Sequence, residues 1–303
     1  MKVFYSDHFV LPLPDGHRFP MQKYQMLRHQ VTAIAGVALA EAPAATDSQL
    51  LLAHEPLYLQ HLIHGTLDPK AQREIGFPWS PEMVERSRRS VGATIAACKT
   101  ALTEGVAVNL AGGTHHAYRD KGSGFCVFND AAVATRVMQR ELGQRDFKTA
   151  IIDLDVHQGD GTASIFANDP TVYTLSLHGK NNFPFRKQVS KLDVALDDGC
   201  DDATYLQALD TALLRLESEF QPQMLIYLAG ADPHEDDRLG RMKLTKAGMK
   251  ARDSRVFTFA RRHRLPLAIS MAGGYGTDIK TTVSIHFQTV EAAAMYWASL
   301  RGA

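Results

Sequence analysis

Ile151-Ile152-Asp153-Leu154-Asp155-Val156-His157-Gln158-Gly159-Asp160-Gly161 opens as an apolar strand and ends in a glycine-punctuated loop, with three carboxylates and one imidazole between. Residues two apart on a strand point the same way. Asp153, Asp155 and His157 are therefore expected on one face, where two neighbours can grip a single cation. A carboxylate buried in an apolar strand without a partner is costly, so something positive belongs beside these side chains.

Outward from that stretch, further apolar runs recur at residues 106–110, 171–177, 224–229 and 267–271, with a short opening strand at 3–6. Helical periodicity fills much of the rest, at residues 21–42, 50–63 (broken or started at Pro56), 81–103, 131–142, 201–220, 245–262 and 289–300. Pro81 suits a first helical position, and Asn129 or Asp130 suits an N-cap. Strands that are apolar throughout and alternate with helices predict an α/β protein, a mostly parallel central sheet with helices on both faces. No linker composition or internal repeat divides the chain, so residues 1–303 are read as one domain.

Composition excludes some partners. Lys plus Arg and Asp plus Glu stand at 33 each, so no overall basic field attracts nucleic acid. The Arg86, Arg88 and Arg89 cluster reads as a solvated helix face, and His54, His61 and His64 read as surface or capping groups. Three widely spaced cysteines, Cys98, Cys126 and Cys200, fit a reducing compartment better than a disulfide framework. Residues 1–8 carry no signal-peptide core, and no apolar run reaches the roughly twenty residues of a membrane span. The expectation is a soluble, cytoplasmic protein.

Polar residues gather just after the predicted strands, where parallel sheets place their sites. The loops are Ala111-Gly112-Gly113-Thr114-His115-His116-Ala117, then Asp153 to Asp160, Ser176-Leu177-His178-Gly179, Gly230-Ala231-Asp232-Pro233 and Gly273-Gly274-Tyr275-Gly276. Asp155, His157 and Asp232 offer two oxygens and one nitrogen and leave coordination positions open, the mark of a catalytic metal. Zn²⁺ suits that set, and so does Fe²⁺. A metal there would bring a water towards neutrality in pKa. The tandem His115 and His116 would handle protons if carboxylates orient them, Asp153 and Asp160 being the free ones of the stretch. Tyr275 could donate to an oxyanion. These parts add up to metal-assisted hydrolysis of an amide or ester.

These motifs, with Gly124-Phe125-Cys126-Val127-Phe128-Asn129-Asp130 and Asp237-Arg238-Leu239-Gly240, resemble the metal-dependent histone deacetylase superfamily, which includes acetylpolyamine amidohydrolases and acetoin-utilisation proteins. Asn182 to Lys187 and the compact length resemble its class IV-like branch most. The resemblance implies that Asp155, His157 and Asp232 ligate the metal. It implies that His116 with Asp160 is the general base, and that His115 with Asp153 is its electrostatic partner. Tyr275 would polarise the substrate carbonyl, while Gly124, Phe125 and Phe183 would line an acyl-lysine channel. A structural K⁺ or Na⁺ site would involve Asp153, Asp155, His157, Ser176 and Leu177. The implied enzyme is a zinc-dependent deacetylase or deacylase acting on an acyl-lysine protein or peptide, or on a small acyl-amine such as an acetylpolyamine.

The acidic run Glu235-Asp236-Asp237 reads as a solvated loop, and Cys126 as a buried, inert thiol. A binuclear ureohydrolase also uses Asp-x-Asp-x-His, but it needs a second Asp-rich cluster late in the chain, and Asp232-Pro233 supplies one ligand only. A non-catalytic acyl-lysine-binding or metal-retaining module would not need His115, His116 and Tyr275 together.

Overall fold

In the computed structural model, which describes residues 1–302, the apolar runs become strands of one sheet. They are β1 (Lys2–Tyr5), β2 (Ala38–Glu41), β3 (Val106–Asn109), β4 (Thr149–Asp153), β5 (Val172–Gly179), β6 (Leu192–Leu196), β7 (Met224–Leu228) and β8 (Leu267–Ser270). Their order is β2-β1-β3-β8-β7-β4-β5-β6, and every neighbouring pair is parallel. The expected sheet was mostly parallel; this one is wholly so.

Why the runs read as continuously apolar is plain from the two faces. Ile152, Leu225, Tyr227, Leu267 and Ile269 pack into one layer of core, and Ile151, Ile226, Ala107 and Ala268 into the other. A strand covered on both sides has no face to leave polar. Register then sets the site. Asn109 lies beside Ser270, Ser270 beside Leu228, Leu228 beside Asp153, and Asp153 beside Ser176. The ends of β3, β8, β7 and β4 form one row with Ser176 of β5, and four of the polar loops leave from it. The expected fifth loop, Ser176 to Gly179, is corrected: it is the last part of β5 itself and is paired to β6.

Helix ends follow local chemistry. Pro81 opens the helix Pro81–Glu104 under a Ser80 cap, and Asn129 caps Asp130–Glu141 by accepting from Ala132 N–H. The stretch 50–63 divides at Pro56 as expected, into Asp47–Leu50 and Pro56–His64. Three further expectations are corrected. Residues 21–42 are not one helix: Gln22–Val31 is helical, Gly36 turns the chain at φ +78°, and Ala38–Glu41 joins the sheet edge. The last helix begins at Ile279, ten residues before the periodicity suggested, under an Asp278 cap. Strand β6 was not foreseen, because on this edge strand only Leu192 and Leu196 are deeply buried. No helix among the described residues is long and apolar enough to cross a membrane.

Candidate active site

Strand β4 stops at Asp153, so Asp155 and His157 sit in a loop and not on the strand the sequence suggested. The loop keeps them in step through its own side chains: Asp155 N–H donates to Asp153 Oδ1 at 3.2 Å, and His157 N–H donates to Asp155 Oδ1 at 2.9 Å. Short Asp side chains capture a backbone N–H two residues on in this way. The result brings Asp155 and His157 to Asp232, which arrives after β7, with one ligand atom from each lying within 4.8 Å of the others.

The buried trio carries its own evidence for a cation. Asp232 Oδ2 is sealed from solvent and has no hydrogen-bond partner, although His157 Nδ1 lies 3.2 Å away. Val156 N–H holds Asp232 Oδ1 at 2.9 Å, and Gly273 N–H holds Asp155 Oδ2 at 2.7 Å. Burial, then the neighbouring Asp155 charge, pushes Asp232 up to about 7. Two carboxylates in a water-poor site repel each other, and a divalent ion among them removes that repulsion. The donor set fits such an ion. Gly273 is required here by close approach: a Cβ would strike the Asp232 carboxylate and come within 2.6 Å of Asp155 Oδ2.

The two histidines come from the loop after β3, and each is held by a carboxylate. His115 Nδ1 meets Asp153 Oδ2 at 2.6 Å, and His116 Nδ1 meets Asp160 Oδ1 at 2.6 Å. Their environments drive them apart. Burial lowers the pKa of His115, but the Asp153 and Asp155 charges outweigh it and raise it to about 9. Burial and the charge of His115 together lower His116 to about 4, against the pull of Asp160. The loop itself is pinned from below. Asp130, fully buried, accepts from Gly113 N–H, Thr114 N–H, Thr114 Oγ1 and Thr94 Oγ1, and Asn129 Nδ2 donates to Ala117 O at 3.1 Å.

Tyr275 lines the same cavity of about 850 Å³ as His115, His116, Asp155 and His157. Its backbone is clamped on both sides: Tyr275 N–H donates to Asp237 Oδ2 at 2.6 Å, and Arg238 Nε donates to Tyr275 O at 2.9 Å. Asp237 Oδ1 also takes the N–H groups of Leu239 and Gly240. The solvated-loop reading of Glu235-Asp236-Asp237 is thus corrected; Glu235 is exposed, but Asp237 anchors the tyrosine.

Gly124, Phe125 and Phe183 line the cavity. Phe125 is held at φ +64°, a left-handed backbone uncommon outside glycine, with its N–H on Ile75 O at 2.7 Å. That turn sets its ring 5.3 Å from Phe77 and 6.0 Å from Tyr275. The Phe183 ring stands edge-on to His116 at 4.9 Å. The residues expected around a monovalent ion are neighbours, but the Ser176 hydroxyl is engaged with His178 Nδ1 at 3.0 Å. Cys126 is buried, and burial pushes its thiol well up.

Two contributors escaped sequence reasoning. The Tyr118 hydroxyl donates to Asp160 Oδ2 at 2.8 Å. His54, expected at the surface, is 1% exposed; its Nδ1 lies 2.9 Å from Tyr118 O, and its Nε2 accepts Asn129 N–H at 3.0 Å. It ties the two ends of the segment between the histidine loop and Asn129.

A family model for the histone deacetylase domain matches residues 17–290. A protein of Picosynechococcus described as uncharacterised is 46% identical over 289 residues, covering 94% of this chain and 95% of that one. Histone deacetylase 2 of Arabidopsis thaliana is 33% identical over 247 residues, 78% of this chain and 63% of the longer plant protein. The acetoin utilization protein of Bacillus subtilis is 30% identical, covering 99% of this chain and 79% of its own. Among solved structures, an HDAC homolog complexed with SAHA superposes with a TM-score of 0.81 at 24% identity, over 99% of this chain and 83% of that one, a likeness of fold.

Proposed function

The chain belongs to the histone deacetylase family, and from that premise we propose that it is a metal-dependent amidohydrolase that removes an acyl group from an amine such as the lysine side chain. The observation that carries the reading is the convergence on one cavity of three ligand side chains, two carboxylate-held imidazoles and a phenol. A binding module has no use for all of these.

Asp155, His157 and Asp232 would hold the ion; when bound, it supplies Lewis-acid polarisation of the carbonyl and a water of lowered pKa. Zn²⁺ and Fe²⁺ both suit two oxygens and one nitrogen. His116, kept neutral by burial and by its charged neighbour, accepts the proton of the attacking water at Nε2. Asp160 fixes the tautomer through Nδ1, as an orienting carboxylate does in other His-based sites. The imidazolium then returns its proton to the departing amine. His115, held by Asp153 through Nδ1, acts as the electrostatic partner of His116, its positive form favoured, over the opposing effect of burial, by the Asp153 carboxylate. The Tyr275 hydroxyl donates to the acyl oxyanion, positioned by the Asp237 and Arg238 clamp.

The test is turnover of a fluorogenic acyl-lysine peptide by the Zn²⁺- or Fe²⁺-loaded protein. Tyr275→Phe should lower kcat by about 10²–10³, the cost of one oxyanion donor, with bound metal unchanged by elemental analysis. Loss of metal in that variant, or no turnover of any acyl chain by the loaded wild type, would sink the reading.

A further inference from the structure

The cavity that holds the catalytic set also reaches Lys23, Tyr24, Arg86 and Ser90. Lys23 is 2% exposed and Arg86 7%. Among the described residues neither has a carboxylate within 4 Å. Lys23 Nζ makes only two long contacts, to Ala272 O at 3.5 Å and Gly274 O at 3.3 Å. Arg86 Nε is sealed and has no partner at all. The arginine was expected on a solvated helix face; it is buried.

What the two cations share is an aromatic surround. Phe19 and Tyr24 lie 5.9 and 5.2 Å from Lys23 Nζ, and 5.5 and 4.8 Å from Arg86 Cζ. Ring faces attract a cation but do not replace a counter-ion, and two buried positive groups without one are costly. Lys23 Nζ is also 5.4 Å from the centre of the Tyr275 ring. The unpaired charge therefore stands beside the ring of the group that would meet the scissile carbonyl, in the same cavity.

We propose that Lys23 and Arg86 bind a carboxylate at the far end of the acyl group, which makes the substrate a carboxyacyl amide of the succinyl or glutaryl type. The inference rests on the hydrolytic reading and specifies its acyl group. Water adds its hydroxyl to the acyl carbon, the amide C–N bond breaks, the amine takes the proton, and a dicarboxylate leaves. A fatty chain would have to lay methylenes against two charges. A plain acetyl group would leave both cations unmet. The same pair could receive the carboxylate of a released acid, and the experiment separates the two.

The metal-loaded full chain is given matched acyl-lysine peptides: succinyl against pentanoyl, and glutaryl against hexanoyl. The expected result is a kcat/KM at least about tenfold higher for the carboxylate-ended member of each pair, since a site built for a polar group rejects the analogue lacking it. Arg86→Met should reduce that ratio about tenfold, with Arg86→Lys restoring part of it. If Arg86→Met does not fold, Lys23→Met takes its place. Calorimetric titration with glutarate should show tighter binding to wild type than to the Met variant. Equal or faster turnover of the methyl-ended peptides overturns the inference, as does a ratio that Arg86→Met leaves unchanged. Glutarate binding without any substrate preference also overturns it, and assigns the cations to the released acid. Turnover of the methyl-ended peptides alone leaves the proposed function standing; turnover of none removes both.

Discussion

Asp160 divides its two oxygens between His116 Nδ1 and the Tyr118 hydroxyl, so its charge orients the proposed base and is itself held still. Asp160→Asn keeps the shape and loses the charge. The expected outcome is a fall in kcat of at least about 10²-fold with KM little changed, since the wrong tautomer of a catalytic His is worth that much or more; steady-state kinetics on one acyl-lysine peptide checks it. His54 makes the second prediction. Burial lowers its pKa to about 4 from an ordinary 6.5. Between those values the unfolded chain binds a proton that the folded chain refuses, so stability is complete above about pH 6.5 and is lost as pH falls towards 4. The loss from this group is roughly 3 kcal/mol, readable in denaturant midpoints across that range, and His54→Gln should flatten the dependence. At this scale Asp153, Asp155, His157 and Asp160 were legible by residue type, as carboxylates gathered around an imidazole. The strand alternation expected of Asp155 and His157 gives way to a loop held by its own side chains. Asp237, Tyr118 and His54 were not legible, because each serves backbone or side-chain atoms brought in from tens of residues away.

Whole elements were legible where periodicity and end signals agree, as in the helix that begins at Pro81 under Ser80. They failed where the apolar pattern was right and the conformation was set by one glycine, as at Gly36. The helix Lys246–Arg262 was expected, but its task was not. Arg252, fully buried, donates to the carbonyls of Leu154 and Gly230 at the exits of β4 and β7, and pairs with Asp253 at 2.8 Å. Asp253 in turn accepts from the Tyr227 and Thr289 hydroxyls. The two loops that supply Asp155 and Asp232 thus share one guanidinium beneath them. Arg252→Leu would strand Asp253 as an uncompensated buried charge, and it should cost about 3–5 kcal/mol. Chemical denaturation measures the loss, and weaker metal retention in the folded fraction should accompany it.

Over the whole molecule, charges cancel, yet the cavity wall is not neutral. Arg18, Arg73, Lys121, Arg186 and Arg241 line it with one outer carboxylate, Glu74, and all six are exposed. Glu74 is 3.8 Å from Lys121, and Arg241 pairs with Asp198. Arg18, Arg73 and Arg186 have no such partner among the described residues. An acyl-lysine flanked by Asp and Glu should therefore show a lower KM than one flanked by Lys and Arg. The difference should shrink as salt rises from about 0.05 to about 0.5 M, because exposed charges are screened over a few ångströms at high ionic strength. A preference for basic flanks, or one indifferent to salt, would contradict that field.

The strand order has a consequence in time. Strand β8 lies between β3 and β7, so it alone joins β2-β1-β3 to β7-β4-β5-β6, and on a ribosome it is the last of the eight to emerge. Until Leu267–Ser270 enters, both half-sheets present a raw edge, the kind that invites strand-to-strand aggregation. The row of strand ends that carries the loops is also incomplete until then. The chain is built around a keystone, and it is most vulnerable to chaperone shortage or premature termination in the interval just before that stone is set.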